Sequence, residues 1–136
     1  MPVRRIAFAF AIALALGACA SLHKSGCRSG GLSAVQDSLY FGTGKPDGAV
    51  TTDEWTTFLE ITVTPRFPQG LTVSQASGQW RGAEGSIIRE SSQVLQLVHP
   101  DDAASEKSIT EIIAAYKTQF RQEAVLRVQT DACVSF

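Results

Sequence analysis

Hydrophobic and polar positions along this chain alternate in two different rhythms, and the alternation predicts six elements. Ser38-Leu39-Tyr40-Phe41-Gly42 is a short aromatic-rich strand. Residues 42–48 hold three glycines and a proline and read as a loop. Thr51 and Glu54 stand at capping-box spacing, where each side chain satisfies a free backbone N–H of the other residue. Trp55, Phe58, Leu59 and Thr62 then recur every three or four residues, which predicts a helix with one apolar face, ended near Val63 by Pro65.

Residues 71–81 and 87–99 predict two strands joined by Gly82-Ala83-Glu84-Gly85, with a bulge expected where the pattern blurs at Gly78. Pro100 closes the second. After Asp101-Asp102, which complement the positive end of a helix dipole, Ile109, Ile112, Ile113, Tyr116 and Phe120 form the strongest helical stripe. Finally Leu126, Val128, Thr130, Ala132, Val134 and Phe136 alternate with Arg127, Gln129, Asp131, Cys133 and Ser135, predicting a half-buried strand with a polar outer face. The order βαββαβ predicts an α+β fold, the ferredoxin-like plait: a four-stranded antiparallel sheet with two helices on one face.

Ahead of these elements lies a different signal. Arg4-Arg5 precede an apolar run over residues 6–18, which ends in Leu16-Gly17-Ala18-Cys19. This resembles the lipobox of exported bacterial lipoproteins, in which the cysteine takes a diacylglycerol and becomes the first mature residue. A spanning helix needs ~20 apolar residues, more than this run supplies, so a signal peptide over residues 1–18 fits better. Plain secretory cleavage around Ala18-Cys19-Ala20 is the alternative, and the paired arginines leave the export route open. The resemblance implies a cell-envelope location, anchored to the membrane through lipid on Cys19. Ala20, in place of the aspartate that retains many such proteins at the inner membrane, implies an outer-membrane site facing the periplasm. Residues 19–37, rich in serine and glycine, are expected to be the lipidated cysteine and a flexible tether. Residues 38–136 are expected to be a single domain.

Without its first eighteen residues the 136-residue chain keeps 118, with ten basic and thirteen acidic side chains. No Lys/Arg cluster gives a nucleic acid its footprint. With Cys19 acylated, Cys27 and Cys133 remain as an even pair in an oxidising compartment, and a disulfide between them is expected. The plait supports this, because it places the start of the first strand beside the finish of the fourth. Two lone cysteines with no histidine at ligand spacing make a poor metal set, and no cofactor motif occurs: the glycines of residues 42–48 fit neither GxxxxGK[ST] nor GxGxxG.

Trp55, Phe58, Pro65-Arg66-Phe67-Pro68-Gln69-Gly70-Leu71-Thr72-Val73, Gly78-Gln79-Trp80-Arg81 and Arg89-Glu90-Ser91 together resemble a family of small exported bacterial proteins known as a domain of unknown function. The likeness covers residues 40–133. It implies one exported domain and transfers no catalytic residue.

Candidate ligand-binding residues are Arg66, fixed between two prolines, and Gln79, Trp80, Arg81, Arg89 and Glu90 near the tip of the long hairpin. Two arginines, a glutamate and a tryptophan in one patch suit a carboxylate or a sugar. The plainer reading is cross-strand ion pairing on a solvated hairpin. His99 before Pro100 is a candidate general base or simply a turn residue. No catalytic triad, HExxH or paired-carboxylate motif appears. The expected role is a non-catalytic binding or structural module. Its open sheet face, with Gln93, Arg127 and Gln129, is expected to meet a second copy or an envelope protein. The alternative is a small cofactor-free enzyme acting on a small anionic or aromatic compound, which needs those arginines converging with His99 or Glu90 on an apolar pocket.

Overall fold

The computed structural model describes Cys27 and residues 30–136. The signal peptide, Cys19 and the first part of the tether lie outside the described residues. Strand β1 (Leu32–Gly42) begins six residues before Ser38, so the folded domain takes in the end of the expected tether. A small hairpin, β2 (Gly44–Lys45) and β3 (Gly48–Ala49), occupies the expected loop. Helix α1 (Thr52–Phe58) follows, then β4 (Thr72–Arg81), β5 (Ile87–His99), α2 (Ala103–Phe120) and β6 (Leu126–Val134). The main sheet runs β4-β5-β1-β6, antiparallel throughout, with both helices on one face. This is an α+β arrangement consistent with the ferredoxin-like plait.

The helix starts follow from their caps. Thr51 accepts from the Glu54 N–H and Glu54 accepts from the Thr51 N–H, so the capping box forms. Asp102 caps α2 by accepting from the Ser105 N–H at 2.7 Å. Helix α1 does not end in regular geometry. It widens into a π turn over Leu59–Val63, where the Thr64 N–H reaches the Leu59 carbonyl. The extra residue moves the buried face along by one. Val63, five positions after Phe58, is buried, and the expected Thr62 is only half-buried.

Leu39, Phe41, Leu95 and Leu97 of the sheet meet Trp55, Phe58, Ile109, Ile112, Tyr116 and Phe120 of the helices in one core. Phe41, Trp55, Phe58 and Tyr116 pack ring to ring at centroid distances of 4.5–6.2 Å. The Tyr116 hydroxyl donates to the Gly42 carbonyl at 2.9 Å, which satisfies its one polar atom.

Register fixes which face each residue takes. Val35, Asp37, Leu39 and Phe41 point to the helices, as do Leu95, Leu97 and His99, which pair with that set. In β6 the helix side takes Arg127, Gln129, Asp131 and Cys133. The apolar set from Leu126 to Val134 therefore lies on the open face, the reverse of the burial expected. By the same register Gln93, Arg127 and Gln129 do not belong to the open face. Pairing between β4 and β5 is continuous from Thr72 with Gln96 to Arg81 with Ile87, so no bulge forms at Gly78. The glycine sits in plain extended pairing on an overhang that the helices do not cover, where nothing forces an extra residue.

Cys27 and Cys133 are joined by a disulfide, with their Cα atoms 5.5 Å apart. It closes a loop of 106 residues in sequence separation, and closure on that scale removes about 4–5 kcal/mol of unfolded-chain entropy in the simple model. Replacing both residues by serine is expected to lower unfolding stability by up to that amount, read as a shift of the urea midpoint. In the unsubstituted native protein neither cysteine should titrate with a thiol reagent.

Candidate functional site

The most concentrated chemistry in the domain lies beneath the first turn of α2. Asp37, in the middle of β1, is fully buried. Its Oδ1 accepts from Arg127 Nε at 2.7 Å, and its Oδ2 lies 2.9 Å from Arg127 Nη2 and 2.8 Å from His99 Nε2. Arg127 also reaches outward, donating from Nη1 and Nη2 to the two Glu106 carboxylate oxygens at 2.7 Å each. The fork geometry of the guanidinium allows both bidentate pairings at once. One connected network therefore joins β1, β5, β6 and α2.

The electrostatics follow from this geometry. Burial alone pushes the Asp37 carboxyl up, but the hydrogen bonds from Arg127 and His99, together with their charges, outweigh it and hold the group below the ordinary aspartate range. Hydrogen bonding from Arg127 likewise holds Glu106 low, and the two carboxylates keep Arg127 more firmly protonated than usual. His99 Nδ1 faces the Pro100 carbonyl at 2.8 Å while Nε2 faces Asp37. Both ring nitrogens are engaged within the protein, one with the Pro100 carbonyl and one with the Asp37 carboxylate. A general base needs a free nitrogen within reach of the substrate proton, and this ring presents none. The arrangement is a latch.

The other candidates do not converge. Arg66 donates to the Thr62 carbonyl at 2.6 Å and to Glu111 at 3.1 Å, which ties the π turn to α2. Gln79 stands opposite Arg89, and Arg81 opposite Ile87, on the helix side of the overhanging hairpin. Trp80 and Glu90 lie on the other side, opposite Ile88 and Gly78. The expected patch of two arginines, a glutamate and a tryptophan is therefore split between two faces. Arg81 holds the hairpin turn through the Gly85 carbonyl. Glu90 packs against Gly42 so closely that a side chain at position 42 would collide with its carboxylate. Ser77, Gln79, Arg89 and Ser91 line a shallow polar depression of about 330 Å³ on the hairpin.

A larger groove of about 750 Å³ opens at the end of the exposed sheet face, lined by Leu32, Ala34, Leu71, Val98 and Phe136 with His99 and Pro100 at its edge. Its lining is mostly apolar. Among the described residues no group of three or more His, Cys, Asp or Glu is placed to hold a metal ion. No described helix is long and apolar enough to cross a membrane.

Asp37 and Glu106 escaped the sequence reading, and Arg127 was assigned to the wrong face. One signal was available for Asp37: the alternation of Leu39 and Phe41, carried back through Asp37 to Val35, puts the aspartate on the buried face. A buried carboxylate needs a cation, and Arg127 lies on the neighbouring strand.

Removing the cation strands the carboxylate, which costs about 3–5 kcal/mol for a buried pair broken on one side. Arg127→Leu is expected to lose about that much stability at pH 7, measured by urea unfolding. Because the folded state holds Asp37 below its unfolded value of about 3.9, its contribution is complete above that pH. It fades as the pH falls through the folded value. The unsubstituted protein should therefore lose stability on acidification below about pH 4 more steeply than Asp37→Asn does. Equal acid slopes for the two proteins would remove Asp37 from this role.

No curated protein matches the chain. Among solved structures, a phage SAM lyase in complex with S-methyl-5'-thioadenosine has a similar fold, with 13% identity and a TM-score of 0.55 over 76% of this chain and 90% of that one. The apo state of a phage SAM lyase matches at 17% identity and a TM-score of 0.49, over 81% and 90%. At such identity the first is a likeness of fold alone. Residues 36–136 match the sequence profile of a family described as a protein of unknown function, DUF3574, and the chain belongs to that family.

Proposed function

We propose that this protein is a lipid-anchored component of the cell envelope, held by an acylated Cys19 at the outer membrane facing the periplasm, and that it works without catalysis as a docking module. The observation that carries the docking role is the open face of the sheet. Leu32, Tyr40, Val98, Leu126 and Val128 are all exposed there, Leu126 at 62% and Leu32 at 64%. A sheet face that leaves these apolar side chains in solvent on either side of an uncharged polar centre marks an interaction surface. The ionisable network beneath α2, by contrast, is satisfied internally and leaves no group free for chemistry. Export is supported by the lipobox-like Leu16-Gly17-Ala18-Cys19 and by the Cys27–Cys133 disulfide, which suits an oxidising compartment.

Cys19→Ser is expected to move the protein from the membrane fraction to the soluble fraction and to abolish incorporation of labelled palmitate. An unlabelled protein that keeps residues 1–18 and fractionates with the cytosol would overturn the reading.

One observation favours a second reading, that of a small enzyme acting on a small anionic or aromatic compound: the apolar groove is large enough for such a ligand. S-methyl-5'-thioadenosine, held by the lyase of similar fold, is a suitable probe. The second reading expects it to raise the melting temperature of the protein by several degrees at millimolar concentration. The docking reading expects no shift.

A further inference from the structure

We infer that the open sheet face packs against the same face of a second copy of this chain, about a two-fold axis passing near Ser38 and Gln96. The inference rests on the docking reading above and names the partner.

Three observations point to a second copy. The first is charge. Along β1, β4, β5 and β6 the open face contains one charged side chain, Glu90, and it lies out on the hairpin against Gly42. A face without charge meets its own copy with no like-charge repulsion, whereas a nucleic acid, an acidic peptide or an anionic lipid surface finds no cation on it.

The second is the chemistry of the middle. Thr72, Gln96, Ser38 and Val128 form one row across the four strands, with Gln36 and Thr130 in the next. Rows rich in Val94, Tyr40 and Leu126 on one side, and in Ala34 and Ala132 on the other, flank this centre. The polar groups at the centre are amides and hydroxyls, which donate and accept equally. On an axis along this row the exposed Thr72 and Gln96 each meet their own copy, and a hydroxyl or an amide satisfies its like there, whereas a carboxylate or an ammonium would repel its copy; Ser38 is already buried between its neighbours.

The third is size. Four strands about 4.8 Å apart and some nine residues long at about 3.3 Å per residue give a footprint of roughly 600 Å². That is near the ~800 Å² per partner of a standard stable interface. Two sheets stacked about 10 Å apart with their strands within about 30° of each other would bury the exposed apolar set in a second core.

The test uses the full chain in its native membranes. Gln96 is exposed in the single copy, and Gln79 is exposed on the opposite side of the hairpin. Under mild oxidation Gln96→Cys is expected to give a disulfide-linked species of twice the chain mass, and Gln79→Cys is not. Adding Val128→Arg, which puts two cations into the face, should reduce the Gln96→Cys cross-link at least tenfold while the Cys27–Cys133 disulfide stays intact as the check on folding. A thiol introduced by Gln96→Cys that is shielded from a bulky maleimide yet never linked to its own copy would overturn the second-copy inference and leave the docking reading standing. A thiol there that reacts as fast as one at position 79 would overturn both.

Discussion

The buried Asp37 carboxylate is the constraint on which the rest of this structure depends. A carboxylate wholly removed from water is tolerated only when paired and hydrogen-bonded, and its partners come from three other elements: Arg127 on β6, His99 at the end of β5 and, through Arg127, Glu106 on α2. Satisfying one side chain therefore fixes the neighbour of β1 on each side and the placement of the second helix. It also fixes more than position. A one-residue slip in pairing turns every side chain of a strand to the other face, so once Arg127 must reach Asp37, β6 has no freedom of register. Leu126, Val128, Ala132 and Val134 are then directed away from the helices. The ionic network inside the domain thus generates the apolar face outside it.

This explains which parts of the fold were legible in the sequence. Helix starts at Thr51 and Asp102 rest on neighbouring residues and could be read locally, as could the stripe from Ile109 to Phe120. The disulfide was legible because cysteine count and topology agreed. What failed was the inference that the apolar set of β6 is the buried one. The alternation in β6 gave its period correctly and its direction wrongly, because hydrophobic burial was outweighed by the need to pair one aspartate. The π turn was hidden for a related reason: Leu59 and Thr62 satisfy a regular helical spacing, and only tertiary packing reveals that Val63 fills the core.

The candidate site was legible in part. His99 stood out by residue type, but its role depends on Asp37, which lay in a segment whose serines and glycines suggested a tether. Arg66, Trp80, Arg81, Arg89 and Glu90 were singled out by type and proximity in sequence. The paired register separates the hairpin residues by face, and Arg66 is held by Thr62 and Glu111. Composition tells which side chains can grip a ligand, while strand pairing decides whether they share a side.

Anchor, staple and open face also fit together mechanically on the proposed reading. Seven residues lie between Cys19 and Cys27, and the eight extended steps that join the two span at most about 29 Å. The disulfide fastens Cys27 to Cys133 beside the start of β1, where Ser33 pairs with Cys133. A lipid on Cys19 would thus hold one end of the sheet within that distance of the bilayer and leave the face itself free to turn toward a neighbour. Copies confined to one membrane meet at a far higher effective concentration than copies in free solution. A face of modest area, with amides and hydroxyls at its middle, then suffices for association on the membrane even where the same domain released from it would stay single.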